Sequence, residues 1–152
     1  MKKLMIRQAN ERDTSVIHSL VCESIQQSYS PYYSQEILDF FFEHHNLANI
    51  REDILQGNTY VLEANGSCVG TGTYSDNCIR RVFIHPAFQN KGYGSILMDH
   101  LEAQILQKYP KVTLSSSITG HPFYINRGYY DVENAQIPLK DNLSLEYTVM
   151  EK

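Results

Sequence analysis

The sequence predicts one mixed α/β domain whose sheet is largely antiparallel and is flanked by helices. A length of 152 residues suits a single hydrophobic core and is too short for two. Helical periodicity dominates up to about residue 57, and alternating, strand-like patterns follow it. One long helical pattern then lies between two strands and is the crossover helix of the predicted sheet.

The first third of the chain is expected to contain one short strand and three helices. Asn10 or Asp13 is a suitable N-cap for the first helix, because a short polar side chain can accept a hydrogen bond from the first helical turn. Ser34 is a suitable N-cap for the second helix, and Gly57 ends the third. The predicted elements are a strand at 4–8 and helices at 10–27, from 34, and at 47–55. The predicted inner face of the first helix consists of Val16, Ile17, Leu20, Val21 and Ile25.

The rest of the chain combines strands with two further helices. Asn65-Gly66 is a strong signal for a two-residue hairpin, and Asp76-Asn77 is expected to form a second turn. Tyr109-Pro110 ends the long helix, since the residue before a proline avoids helical backbone angles. Strands are predicted at 59–64, 68–74, 78–84, 112–115, 130–136 and 143–149, and helices at 92–108 and 122–126.

Charge and cysteine content argue against several classes of function. Lys and Arg number 13 against 17 Asp and Glu, for a net charge of −4, so a nucleic-acid partner is not expected. Cys22, Cys68 and Cys78 are odd in number and lack metal-site spacing, which predicts no disulfide framework and no metal. No apolar run resembles a signal peptide or a membrane span. We therefore expect a cytoplasmic protein without a membrane partner.

The clearest functional pattern is a strand followed by a short turn and a glycine loop that opens a helix. After the strand at 78–84 come His85-Pro86 and then Gln89-x-x-Gly92-x-Gly94. Backbone N–H groups at such a helix N-terminus converge on one point and can bind a phosphate group. The two glycines alone are weak evidence, because glycine often precedes a helix. A P-loop requires Gly-Lys-Ser/Thr, and a dinucleotide fingerprint requires a small residue where Leu97 stands, so neither fits.

This pattern resembles the acyl-coenzyme-A-binding motif of the GNAT N-acyltransferases, Gln/Arg-x-x-Gly-x-Gly/Ala, and the order of elements resembles the GNAT fold from end to end. The resemblance implies acetyl-CoA as co-substrate, with its pyrophosphate on the glycine loop. It also implies that the strand pairs with the pantetheine arm, and that the Phe83 or Ile84 backbone N–H stabilises the oxyanion. Lys91 is either a phosphate ligand or a solvated loop lysine. The implied cofactor-binding residues are Val82, Phe83, Ile84, Gln89, Asn90, Lys91, Gly92, Tyr93, Gly94 and Ser95.

A second segment, at residues 121–129, resembles the family sequence Phe-Tyr-x-x-x-Gly-Phe/Tyr. By this resemblance, Tyr124 is the general acid that protonates the departing thiolate. The alternative is that Phe123 and Tyr124 form the packing face of a helix. Family members often use a Glu or Asp near the central strand as the base, but Cys78 occupies the comparable position here. The candidate substitutes for this base are Asp76, Glu63 and His121.

The aromatic segment with Tyr29, Tyr32 and Tyr33 corresponds to one wall of the family's acceptor pocket, or is a packed loop. The resemblance implies direct transfer of an acetyl group from acetyl-CoA to a small-molecule or peptide amine, without a metal or a covalent enzyme intermediate. A non-catalytic acyl-CoA-binding sensor is the alternative, and a small nucleotide-binding protein is a third hypothesis. The acidic net charge mildly favours cationic acceptors. The C-terminal strand could add across a homodimer.

Overall fold

The computed structural model describes residues 3–152, which form a seven-stranded sheet with helices packed on both faces. The strands are β1 (Leu4–Gln8), β2 (Thr59–Ala64), β3 (Ser67–Ser75), β4 (Cys78–Ile84), β5 (Thr113–Ser116), β6 (Tyr130–Pro138) and β7 (Ser144–Glu151). The helices are α1 (Thr14–Ser24), α2 (Gln35–His44), α3 (Leu47–Leu55), α4 (Tyr93–Leu106) and α5 (His121–Asn126). Each predicted strand and helix is present, so the predicted mixed α/β class is confirmed.

The capping chemistry predicted for the first helix is found at the 3₁₀ turn that precedes α1. The Asn10 side chain accepts a hydrogen bond from the Arg12 N–H, and the Asp13 carboxylate accepts one from the Asn10 N–H. This capping box holds a single 3₁₀ turn, after which α1 begins. The assignment of Val16 to the inner face is wrong, because its side chain is 52% exposed. The buried stripe starts at Ile17, and Val16 lies about 100° around the helix from it.

Both predicted tight turns have the backbone angles that their residues favour. Asn65 and Gly66 have φ values of 53° and 84°, as a type I′ hairpin between β2 and β3 requires. Asp76 has a φ of 52° in the turn between β3 and β4. Local turn chemistry therefore sets how β2, β3 and β4 begin to pair next to these two turns.

Helix α4 packs unusually close to β3, because two glycines of that strand face it. A Cβ atom at Gly70 would lie 2.9 Å from Leu97 Cδ1, and one at Gly72 would lie 2.7 Å from Leu101 Cδ1. Leu97 and Leu101 are fully buried, so they cannot move aside into solvent. Glycine at both positions therefore lets the crossover helix lie directly against the sheet.

The sheet is antiparallel except at one place, where β4 and β5 run parallel. The strand order is β1-β2-β3-β4-β5-β7-β6, and helix α4 makes the crossover from β4 to β5. β4 and β5 pair at only two positions, Cys78 with Thr113 and Ile79 with Leu114. Beyond Ile79 the two strands no longer pair, and this separation divides the sheet. No helix in the described part of the chain is both long and apolar enough to cross a membrane.

A Gly72→Ala substitution tests the close packing of α4. We expect it to lower the free energy of unfolding by about 1–3 kcal/mol, because the added methyl overpacks a buried contact. In a Leu101→Ala background the same substitution should cost almost nothing, since the clashing methyl group is absent. Chemical denaturation of the four proteins measures both values. Ser75→Ala, at the exposed end of the same strand, is the control and should change stability by less than about 0.5 kcal/mol. An equal cost of Gly72→Ala in both backgrounds would contradict the packing argument.

Candidate functional site

A cavity of about 790 Å³ opens where β4 and β5 separate. Its walls come from β4 on one side and from β5 and β7 on the other, with α2, the start of α4, and α5 contributing. Most of the predicted site residues line this one cavity. They are Tyr29, Val82, Phe83, Ile84, Gln89, Asn90, Gly92, Tyr93, Gly94, Ser95 and Tyr124.

The glycine loop presents the N-terminus of α4 to the cavity. Asn90 and Gly92 have positive φ values of 64° and 82°, which turn the chain sharply into the helix. Gly92 is the N-cap, and no side chain caps this helix end in the described structure. The first N–H groups of α4 are thus left for an anion, as the motif predicts. A Cβ at Gly94 would lie 3.4 Å from the Phe123 ring, so a small residue also lets α5 approach the loop.

Of the polar residues in the loop, Gln89 lines the cavity and Lys91 does not. The Gln89 side chain donates to the Ile84 carbonyl at 3.2 Å and to Ser28 Oγ at 3.3 Å. It therefore ties the loop to the end of β4 and to the segment after α1. Lys91 is exposed and does not line the cavity, so its position fits the alternative of a solvated loop lysine.

The cavity edge of β4 can be worked out from one hydrogen bond. The His85 N–H donates to the Val69 carbonyl at 2.8 Å, directly after the antiparallel pairing of β3 with β4. Hydrogen-bonding direction alternates along such a pair, so Phe83 also bonds to β3. Val82 and Ile84 then direct their N–H groups away from β3, toward the cavity. Of the two predicted oxyanion donors, Phe83 has its N–H committed to the sheet and Ile84 does not.

Tyr124 projects from α5 into the cavity. Its ring packs edge-on against Phe123 and Tyr129, with ring centroids 5.2 Å and 5.7 Å away. Burial raises the pKa of the Tyr124 hydroxyl well above its usual value, and nearby Tyr29 adds to this effect. The hydroxyl is therefore protonated at neutral pH and is able to donate. Tyr124 thus packs against neighbouring rings, as one alternative predicts, and also lines the cavity, as the other alternative requires.

The three tyrosines after α1 take different places. Tyr29 lines the cavity and packs against Phe41 and Tyr33, with ring centroids 4.9 Å and 5.8 Å away. Tyr33 does not line the cavity, and its hydroxyl accepts a hydrogen bond from the Ile118 N–H. Tyr32 is 67% exposed and outside the cavity lining, so its position gives it no part in the acceptor wall.

Arg81 and His45 form a buried pair that also lines the cavity. Neither residue is among the site residues predicted from the sequence. Arg81 is only 5% exposed, and its Nε donates to His45 Nδ1 at 3.0 Å. Its Nη1 lies 3.0 Å from Asp53 Oδ2 in an ion pair. Burial and the neighbouring Arg81 lower the pKa of His45 to about 2, so the ring is neutral. Because Nδ1 accepts from Arg81, the neutral ring carries its proton on Nε2 and cannot act as a base.

Glu146 of β7 is the only Asp or Glu among the described residues that line the cavity. Cys78 also lines it, but burial raises the pKa of its thiol, which opposes a role as base. The three substitutes suggested by the sequence lie elsewhere and have partners. Asp76 accepts from Tyr109 Oη, Glu63 pairs with Arg7, and His121 pairs with Asp131. An exposed glutamate on an alternating strand carries no local signal that would have singled it out.

The sequence profile of the acetyltransferase (GNAT) domain matches residues 29–142, which is about three quarters of the chain. The chain belongs to the GNAT acetyltransferase family. The predicted family and enzyme class, an acyltransferase, are thus confirmed. No curated protein sequence matches the chain significantly.

Solved GNAT structures share the whole fold. A GCN5-related N-acetyltransferase from Rhodopseudomonas palustris superimposes with a TM-score of 0.87 at 22% identity, covering 97% of this chain and 94% of the other. PaiA N-acetyltransferase from Thermoplasma acidophilum, in complex with coenzyme A, gives 0.78 at 18% identity, with coverage of 99% and 98%. YncA from Salmonella typhimurium, with its cofactor acetyl-CoA, gives 0.69 at 20% identity, with coverage of 99% and 93%. The GNAT fold predicted from the order of elements is confirmed.

Burial of His45 predicts a pH-dependent stability. Below pH 6.5 the unfolded chain binds a proton at this residue, whereas the folded protein binds none until about pH 2. Stability is therefore lost as the pH falls, by about 1.5 kcal/mol through His45 between pH 6.5 and 5.0. Denaturation of the native protein and of His45→Gln, which keeps an acceptor for Arg81 without titrating, should differ in pH dependence by that amount. Identical pH dependence in the two proteins would contradict the burial argument.

Proposed function

We propose that this GNAT protein transfers the acetyl group of acetyl-CoA directly to a primary amine. One observation carries the proposal above all: the uncapped N-terminus of α4, the open edge of β4 and the Tyr124 side chain all line the same cavity. An anion site, a strand edge and a proton donor are the three parts needed to bind an acyl-CoA and cleave its thioester.

In this proposal the coenzyme lies along β4. Its pyrophosphate binds the N–H groups of the glycine loop and the first turn of α4, at residues 89–95. Its pantetheine arm pairs with the open edge of β4, where the Val82 N–H faces the cavity, in the manner of an added strand. The coenzyme A in the related PaiA structure and the acetyl-CoA in YncA support this choice of donor.

The transfer then needs three further contributions. The amine nitrogen attacks the thioester carbonyl carbon, and the Ile84 N–H stabilises the negative charge that develops on the carbonyl oxygen. The carbon–sulfur bond breaks, and the Tyr124 hydroxyl gives its proton to the departing thiolate. The attacking nitrogen releases its surplus proton to solvent as the amide forms. The products are an amide and free coenzyme A, and Tyr124 regains a proton from solvent. The Tyr124 hydroxyl is protonated at neutral pH and lines the cavity, so it has a proton to donate there.

Glu146 is our candidate for the base. A primary amine with a pKa near 10.4 is protonated at neutral pH and must lose a proton before it attacks. Glu146 can attract the ammonium group electrostatically and accept that proton, directly or through a water molecule. This role replaces the carboxylate that Cys78 does not supply.

Other sequence-based expectations remain predictions. A cytoplasmic location is one of them, and it fits the three free cysteines because thiols stay reduced in that compartment. A homodimer through the C-terminal strand also stays a prediction. The non-catalytic acyl-CoA sensor is the outcome in which the protein binds coenzyme A but acetylates no amine.

Tyr124→Phe tests the general acid. We expect kcat to fall about 100-fold in an acetyl-CoA assay with an amine panel, because the thiolate must leave without a positioned proton donor. Coenzyme A affinity, measured by calorimetry, should stay within about threefold. Tyr109→Phe, which removes an exposed hydroxyl that is not part of the cavity lining, should leave both values unchanged. Unchanged kcat of Tyr124→Phe at every pH would exclude the acid role.

Glu146→Gln tests the base. We expect kcat/KM to fall about 100-fold at pH 7, with much of the loss recovered near pH 10, where a substantial fraction of the acceptor amine is already neutral. Glu133→Gln on the neighbouring strand β6 is the matched control, since Glu133 is exposed and does not line the cavity. A loss that is the same at both pH values would argue that Glu146 is not the base.

A further inference from the structure

The end of the cavity away from the glycine loop carries its own set of charged and aromatic groups. Arg80 and His44 line it beside Cys78, and Phe40 stacks on His44 with ring centroids 5.8 Å apart. Arg80 follows Cys78 by two residues on β4, and both line the cavity. In the binding mode proposed above, the coenzyme does not occupy this end of the cavity, so it is left for the acceptor amine.

Most of the basic side chains at this end are already compensated. Arg81 is paired with Asp53 at 3.0 Å and also bonded to His45. His45 is neutral, and burial likewise lowers the pKa of His44. These three residues therefore shape the wall without leaving a free charge for a ligand.

Arg80 differs from them in both position and partners. It is the extra residue of a β-bulge, because Thr73 pairs with Arg81 while the next residue, Tyr74, pairs with Ile79. Its side chain is exposed in the cavity lining and has no ion pair or hydrogen bond to any of residues 3–152. It has an uncompensated positive charge on the β4 wall.

Glu146 supplies a negative charge, unpaired among residues 3–152, on the opposite wall of the cavity. It lies on β7, across the separation between β4 and β5, and likewise forms no ion pair within the described chain. The cavity thus offers one free positive charge and one free negative charge from two different strands. A ligand that satisfies both has a positive group and a negative group of its own.

We propose that the acceptor is an amine that also carries a carboxylate, such as a free amino acid, with Arg80 binding the carboxylate and Glu146 facing the ammonium group. This proposal rests on the acetyltransferase function proposed above and names its substrate class. The forked guanidinium group of arginine can donate two parallel hydrogen bonds to a planar carboxylate. An amine without a carboxylate cannot form them and would therefore bind less tightly. The local charges therefore favour a different acceptor from the cationic one that the net charge of −4 favours.

Arg80 is poorly placed to serve the coenzyme phosphates instead. It precedes Ile84 by four strand residues, a separation of roughly 13 Å along β4. The glycine loop follows Ile84 at the other end of that strand. The pyrophosphate is proposed to bind at that loop, so a charge at Arg80, at the other end of the strand, is left for the acceptor.

The test compares each amino acid with its carboxamide, in which the amine is kept and the carboxylate is removed. The probes are the twenty amino acids, their carboxamides, and spermidine as an amine without a carboxylate. For the best substrate pair, the ratio of kcat/KM for the acid to that for the amide should fall about tenfold in Arg80→Gln. The KM for acetyl-CoA should not change. Because the comparison is a ratio of ratios, differences in amine pKa between acid and amide cancel.

Two further variants sharpen the result. Arg80→Lys keeps the charge but not the fork and should retain an intermediate preference. Arg51→Gln removes the same charge from an exposed arginine of α3 that pairs with Glu11, so it should keep the full preference. A preference for the carboxylate that survives in Arg80→Gln, or a raised KM for acetyl-CoA with an unchanged ratio, would overturn the proposal. Turnover of amines in either case would leave the transferase function intact.

A binding measurement separates the two proposals if no amine is acetylated. Calorimetry of the same acids and amides against the coenzyme A complex needs no turnover. Tighter binding of the acids, lost in Arg80→Gln and kept in Arg51→Gln, would uphold the carboxylate site and refute the transferase function. Equal binding of acids and amides would overturn the carboxylate site as well.

Discussion

The short pairing between β4 and β5 is the constraint on which the rest of the site depends. The two strands are held together only at their first residues and then separate. Beyond that point β4 has one edge bonded to β3 and one edge whose N–H and C=O groups need another partner. Gln89 satisfies the Ile84 carbonyl at the far end of this edge. The remaining groups face the cavity.

The position of α4 makes this open edge useful, because the helix starts where the edge ends. Only a short loop separates the last residue of β4 from the first turn of α4. Gly70 and Gly72 let the helix lie so close to β3 that its N-terminus cannot shift without breaking core contacts. The anion site and the strand edge are therefore fixed relative to one another by packing that lies outside the site.

Local signals account for the half of the site that is continuous in sequence. The bounds of α3, β2 and β4 coincide with the prediction, because their caps and turns lie within a few residues of each element. The acceptor half is different. Glu146 reaches the cavity only because β7 pairs with β5, and the environment of His45 depends on its contact with Arg81. Arg80 is exposed at a β-bulge, which the alternation of residues along β4 does not predict. Such residues are brought together by strand pairing across the chain, which a pattern within one element does not contain.

The bulge at Arg80 has a consequence for how relatives of this chain can diverge. An extra residue resets the alternation of side chains, so Ile79 packs on the α4 face while Arg81 and Phe83 face α1 and α3. The strand is thereby divided into two segments whose side-chain patterns are independent. Under the proposed binding mode, substitutions in the first segment change which acceptor is selected, while the second segment keeps the strand edge that the donor pairs with. One fold can in this way supply many specificities from a single strand.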